Sequence, residues 1–191
     1  MRHFLFTLIT LLTTLTASGA IPARVKAAAD KVNSAPALQV TFKANGHPAT
    51  MLLGDGGKFA LIMDDIKVYY DGKTQWAYSA ADKEVTILNP TADELASGNP
   101  AAILSTLSSA FKGEKIKGET YRLTPLSSNA EIAEVTIAFP AAGPWPQSMS
   151  IIGPSGSMSV SDLKFTPLKT KKPLQAFQFK APKGTTITDL R

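Results

Sequence analysis

The sequence predicts a mostly β protein, with one antiparallel sheet of about eleven short strands curled into a barrel or half-barrel and accompanied by short helices. Three observations carry this. From Leu38 onward, apolar residues recur at every second position in short runs, as in Leu38, Val40 and Phe42. The runs are separated by turn signals at Asn45-Gly46, Gly54-Asp55-Gly56-Gly57, Asp71-Gly72, Gly143-Pro144 and Pro154-Ser155-Gly156. The spacing is that of hairpins, and so many strands in one domain exceed what a flat open sheet holds.

The elements follow in order. Met1-Arg2-His3 is a short basic start, Phe4 to Leu15 is apolar apart from Thr, and Ser18 and Ala20 sit at the minus-three and minus-one positions of a cleavage site. This is the pattern of a secretory signal peptide over 1–20, too short to span a bilayer. Removing 20 of 191 residues leaves 171, enough for one domain over 21–191 with a real core. The mature chain is expected to be soluble and outside the cytoplasm, without stable membrane insertion. Pro22 to Asn33 reads as a helix, with Pro22 at its first turn and Val25, Ala28, Ala29 and Val32 on one face. Strands are expected at 38–45, 49–54, 58–63, 66–70, 74–79 and 84–88, then at 119–124, 131–139, 147–152, 157–165 and 174–180. Between the two groups, Ala92 to Leu95 reads as one helical turn. Asn99 and Pro100 then suit the N-cap and first position of a second helix, with Ile103, Leu104, Leu107 and Phe111 as its apolar stripe and Gly113 as its end.

Composition and motifs exclude several functions. There is no Cys, so the fold rests on packing without disulfides, and lipid attachment at an N-terminal Cys is ruled out. After removal of 1–20, 19 basic residues face 15 acidic ones, a formal charge of +4. The basic residues are scattered except for Lys169, Lys171 and Lys172, unlike the dense basic face of a nucleic-acid binder. His47 is expected as a solvated turn residue without a partner for acid–base work. Too few His and Cys exist for a zinc site, and Asp64-Asp65 reads as a turn. No catalytic residue, metal or cofactor is expected.

The apolar and aromatic positions remain. Phe59, Leu61 and Met63 share a face of their strand, as do Trp76 and Tyr78, Met149 and Ile151, Met158 and Val160, and Phe177 and Phe179. Two readings stand side by side: a filled core, or a curved sheet too wide to fill whose concave face takes an apolar ligand.

The stretch VYYDGKTQWAYSAADKEVTILNP resembles the family of periplasmic outer-membrane lipoprotein carriers, the LolA family. The likeness rests on Asp71-Gly72-Lys73-Thr74, Trp76, Tyr78 and Val85, on the Asn99-Pro100 helix with Ile103 and Leu104, on YRLTP at 121–125, and on FQFKAPKGTTITDL at 177–190. The segment TADELASGNP resembles a LolA-like branch of the Bacteroides type. The resemblance implies an unclosed antiparallel β-barrel with lid helices over an apolar cavity. The implied activity is that of a monomeric chaperone, not an enzyme, which shields the acyl chains of lipoproteins. Its partners would be acylated lipoproteins, an inner-membrane lipoprotein-releasing transporter and an outer-membrane acceptor. Each exposed methylene costs about 0.8 kcal/mol in water, which is why such cargo needs a carrier. The implied lipid-binding residues are Val40, Phe42, Phe59, Leu61, Met63, Trp76, Tyr78, Ile103, Leu104, Leu107, Phe111, Met149, Ile151, Met158, Val160, Phe177 and Phe179. One position departs from the family. Its carriers place a lid-latching Arg before the Phe-containing strand, whereas the matching run GDGGKFALI offers Lys58, without the five-donor fork of Arg. An alternative on the same fold is a non-transporting module that senses or binds lipid or lipoprotein.

Overall fold

Two runs of hairpins build the sheet. A computed structural model describes residues 20–91, 94–95, 100–154 and 156–191. The first run is β1 (Ala37–Ala44), β2 (His47–Gly54), β3 (Phe59–Met63), β4 (Ile66–Tyr70), β5 (Gln75–Ser79) and β6 (Glu84–Leu88). The second is β7 (Phe111–Lys117), β8 (Thr120–Pro125), β9 (Glu134–Ala138), β10 (Ser148–Gly153) and β11 (Gly156–Leu168). Helix α1 (Ala23–Ser34) precedes the first run, α2 (Pro100–Ala110) precedes the second, and β12 (Thr186–Asp189) comes last. Within each run, neighbours in sequence pair antiparallel. The runs are joined where β1 pairs antiparallel with β11, from Ala37 opposite Leu168 to Ala44 opposite Val160. β12 adds in parallel to β6. The resulting order is β12-β6-β5-β4-β3-β2-β1-β11-β10-β9-β8-β7, with β12 and β7 at its two ends, so the barrel is unclosed.

Local chemistry explains the turns and edges. Asn45 and Gly46 both have positive φ (48° and 89°), as a two-residue hairpin turn of the primed type requires. The outer strands are protected against pairing with another chain: β7 carries Lys112, Lys115 and Lys117, and β12 is only four residues long.

The helices lie on the inner face of the sheet. Val25, Ala28, Ala29 and Val32 of α1 and Ile103 and Leu107 of α2 form one core with Val40, Phe42, Met51, Leu123, Val135, Ile137, Met149, Ile151 and Val160. The α1 stripe is the one that its helical spacing predicts. Arg24 fixes the start of α1. Its guanidinium pairs with Glu119 at 2.5 Å, donates to the Pro140 and Gly143 carbonyls at 2.7 and 2.9 Å, and lies 4.9 Å over the Phe139 ring. Glu119 also accepts from Lys115 and Tyr121. Lys115, Arg24 and Tyr121 together hold its carboxyl down at about 2. Gly113 of β7 makes room for this end of the helix: a Cβ there would stand 2.4 Å from Leu123 Cδ2 and 3.0 Å from Pro22 Cδ.

Three elements differ from the sequence reading. Phe111 opens β7 rather than closing the second helix, because it pairs with Pro125 and the hairpin partner outweighs the helical stripe. FKGEKIK has no clean alternation of apolar residues, so β7 leaves little sequence signal. The expected strand 174–180 is instead a 3₁₀ turn, Leu174–Phe177, followed by extended chain. Phe177 and Phe179 of this segment pack flat on the sheet, since β3, β4 and β5 already have ladder partners on both sides. The last strand is β12, whose four residues are too short for a periodic signal. Residues 1–19, 92–93 and 96–99, which include the signal-peptide reading and the Asn99 cap, lie outside the described residues, and so does Ser155 in the expected turn.

Two expectations follow for stability. Phe177 is fully buried, and Phe177→Ala should cost about 3–5 kcal/mol, read as a lowered midpoint in chemical denaturation. The second concerns acid. The folded carboxyl of Glu119 titrates at about 2, below an unfolded value of about 4.3, so its stabilising contribution is complete above that value and fades as pH falls toward 2. Thermal unfolding between those limits should therefore show a steeper loss for the native chain than for Glu119→Gln, which lacks this contribution throughout.

Candidate functional site

Directly opposed ladder partners share a face of the sheet. On the inner face, Val40 stands opposite Met51, Met51 opposite Leu61, Leu61 opposite Val68, and Val68 opposite Ala77. The flanking rows run Phe42, Ala49, Met63, Ile66, Ser79 and Leu53, Phe59, Tyr70, Gln75, Leu88. Burial changes along these rows. Val40, Phe42, Ala49 and Met51 are buried under the helices. Leu61, Met63, Val68 and Tyr70 are half-buried, and Ile66 is 40% exposed. The rows then turn polar at Gln75, Ser79, Thr86 and Glu84. The result is an apolar strip on β3 and β4 that continues the packed core at one side and is partly uncovered at the other. Phe59 and Tyr70 close one end of it with ring centroids 5.7 Å apart.

The opposite face carries a second apolar cluster. Trp76 stands opposite Tyr69 and Ile87, and Tyr78 opposite Lys67 and Val85, all on the outer face. Phe179 packs on the Tyr78 and Tyr69 rings at 4.8 and 5.8 Å, and Phe177 lies against Gly54, where a Cβ would stand 2.4 Å from its ring. The absence of a side chain at Gly54 is what lets the C-terminal segment lie on the sheet. Asp71 ties this segment to the β4–β5 turn: it accepts from the amides of Lys73 and Thr74 and from the Gln178 side chain. Partial burial pushes the Asp71 carboxyl up, but the Thr74 amide, Gln178 and the Lys73 amide outweigh it and hold it below its ordinary value. Thr74, buried in the same turn, donates to Asn89 at 3.0 Å.

The predicted lipid-binding residues thus divide between two faces. Val40, Phe42, Phe59, Leu61, Met63, Met149, Ile151, Met158 and Val160 lie on the inner face, with Ile103, Leu107 and Phe111 packed in the same core. Trp76, Tyr78, Phe177 and Phe179 do not join them, because the β5 register turns its aromatic side chains outward against the C-terminal segment. The Leu104 side chain lies outside the described residues. Ile66, Val68 and Tyr70 were absent from the sequence-derived set, although the alternation in IKVYY marks them as one face. A cavity of about 410 Å³ also opens beside α2, lined by Ile103, Phe111, Pro125, Leu126 and Ile132 with Asn129 and Glu131 at hand.

Two charged residues depart from expectation or decide a detail. His47 opens β2 rather than a turn, and its Nδ1 lies 2.8 Å from Asp64, so it has a partner after all, in an exposed pair. Lys58 donates to the Asp55 carbonyl at 2.8 Å and sits 3.4 Å from the Asp55 carboxylate, within its own 3₁₀ turn. No group of three His, Cys, Asp or Glu among the described residues could hold a metal ion.

The architecture has a counterpart among solved structures, and two further chains align less well. An uncharacterized conserved protein from Thermus thermophilus aligns with a TM-score of 0.54 and 13% identity, over 87% of this chain and 96% of that one. A LolA superfamily protein from Nitrosomonas europaea aligns with a TM-score of 0.41 and 10% identity, over 82% and 96%. LprF from Mycobacterium bovis aligns with a TM-score of 0.35 and 10% identity, over 85% and 95%. What the Thermus protein shares with this chain is the fold. No protein-family model matches the chain, and no curated protein matches it.

The packed and open parts of the inner face should respond differently to truncation. Leu107 is fully buried, so Leu107→Ala should cost about 2–5 kcal/mol. Val68 is half-buried and gives up less apolar surface, so Val68→Ala should cost about 1 kcal/mol or less. Urea titration of the two variants checks the contrast.

Proposed function

We propose that this chain is a periplasmic chaperone that binds the acyl chains of lipoproteins and carries them toward the outer membrane. The observation that carries the reading is the half-covered apolar strip of Leu61, Met63, Ile66, Val68 and Tyr70, continuous with the core inside an unclosed barrel. An acyl chain laid along it would extend the core and remove the strip from water at about 25 cal/mol per Å². The site offers shape and apolar surface rather than an acid–base pair, in keeping with a binding protein and not an enzyme. On this reading, residues 1–20 direct export and are removed after Ala20, leaving 21–191 as one LolA-like lipoprotein-carrier domain that works as a monomer. Cargo would come from an inner-membrane lipoprotein-releasing transporter and pass to an outer-membrane acceptor.

A second reading is a non-transporting lipid- or lipoprotein-sensing module on the same fold. It is favoured by Lys58, which is held by Asp55 in its own turn, where a lid-latching cation would have to reach a helix.

Both readings are tested with Val68→Glu. A carboxylate on the strip would face the acyl chain unpaired, which is costly once water is excluded. Titration with a fluorescent fatty acid should show affinity reduced at least about tenfold, with the melting temperature lowered by only a few degrees, since the residue is half-exposed without ligand. Undiminished acyl binding would remove the basis of the proposal. Acyl binding without transfer of a lipoprotein to outer-membrane vesicles would select the sensing module.

A further inference from the structure

One end of the barrel gathers the densest run of positive charge in the sequence, Lys169, Lys171 and Lys172. The strand register places the 3₁₀ turn at 55–57, the β4–β5 turn at 71–74 and the end of β11 at the same end, since Ala37 opposes both Gly54 and Leu168, Leu53 opposes Phe59, and Phe59 opposes Tyr70. Lys58, Lys73, Lys169, Lys171 and Lys172 stand on these loops. The Lys171 ammonium reaches Asp55 at 3.0 Å, which brings the β11 end against the 3₁₀ turn, and a Cβ on Gly72 would lie 3.8 Å from the Lys58 stem. Among the described residues, the acids at this end are engaged. Asp55 is shared by Lys171 and Lys58, Asp71 accepts from two amides and Gln178, Glu94 accepts from Thr91, and Asp189 pairs with Arg191. Lys73, Lys169 and Lys172 are exposed, and among the described residues no carboxylate pairs with them. Directly after Lys172 and Pro173, Leu174 is 44% exposed.

We propose that this end of the barrel docks reversibly on a membrane surface of anionic phospholipids. Unpaired lysines on loops suit the negative surface potential of such a leaflet, which acts over roughly one Debye length, about 8 Å at physiological salt. Leu174 supplies an apolar contact at the interface, too small for insertion. The arrangement also has a geometric consequence. Phe59, Tyr70 and Leu88, at one end of the open inner strip, lie at the ends of their strands nearest this patch, so docking brings the strip toward the bilayer. The proposal goes beyond acyl binding and does not require it.

The test is co-sedimentation of the processed, exported chain with vesicles of phosphatidylcholine alone or with phosphatidylglycerol added. Using the processed chain removes any contribution from the apolar leader. The native protein should partition into the anionic vesicles at low salt, lose that partition near 1 M salt, where the Debye length falls to about 3 Å, and ignore the neutral vesicles. The triple variant Lys73→Glu, Lys169→Glu and Lys172→Glu should partition at least about tenfold less, with fatty-acid affinity and melting temperature unchanged. Leu174→Ser should weaken partition by a smaller factor. Equal binding to neutral vesicles, salt-independent binding, or native-like partition of the triple variant would overturn the proposal. So would retention by immobilised inorganic phosphate without vesicle binding. Loss of acyl binding in Val68→Glu with vesicle docking intact would leave the two proposals separately decided.

Discussion

The pairing of β1 with β11 is the constraint on which the rest of the structure depends. It joins a six-strand meander to a five-strand one across more than a hundred residues, from Ala37 at Leu168 to Ala44 at Val160. Each meander by itself would expose an apolar inner face. Joined, they curve around α1 and α2, whose Val25, Ala28, Ala29, Val32, Ile103 and Leu107 fill the space between Val40 and Met51 on one side and Leu123, Val135 and Ile137 on the other. The pairing closes a long loop and is entropically late to form. The Arg24 cluster adds a second long-range tie, holding the start of α1 to Glu119 and to the Pro140 and Gly143 carbonyls.

The two halves of the sheet are covered on opposite faces. The helices take the inner face from β2 through β1 to β7, and the C-terminal segment takes the outer face of β3 to β5 through Phe177 and Phe179. A sheet needs one apolar face buried to be stable. Because the outer face of β3 to β5 is buried by the chain's own tail, their inner face does not have to be filled, and Leu61, Met63, Val68 and Tyr70 are left half-covered. The DGKT turn serves that arrangement: Asp71 holds Gln178, and Thr74 holds Asn89. Residues that look like lining in the sequence thus act as the fastening that leaves the lining open.

The legible part of the fold was that governed by local periodicity and turn chemistry. Val25, Ala28, Ala29 and Val32 at helical spacing gave α1, and Asn45-Gly46 and Asp71-Gly72 gave hairpins whose φ values require or favour those residues. The β7 strand was not legible, since Phe111 sits at helical spacing from Leu107 and only its pairing with Pro125 makes it extended. Nor was the fate of 174–180, whose alternation suits a strand but whose neighbours have no vacant ladder. The partner of His47 was hidden because Asp64 is remote in sequence and meets it only through the β2–β3 pairing.

By itself, the sequence determined that the chain is a curled, mostly antiparallel sheet with short helices, because alternation and turn residues act over a few positions and need no knowledge of distant partners. It also determined which side chains share a face within each strand. Only the tertiary structure decided which of the two faces is the inner one. That choice rests on register between strands, and a shift of one residue sends every side chain to the other side. Leu61 and Met63 therefore pack on the helix-covered core while Trp76 and Tyr78, two strands away and equally apolar, lie on the opposite face, where the tail packs on Tyr78.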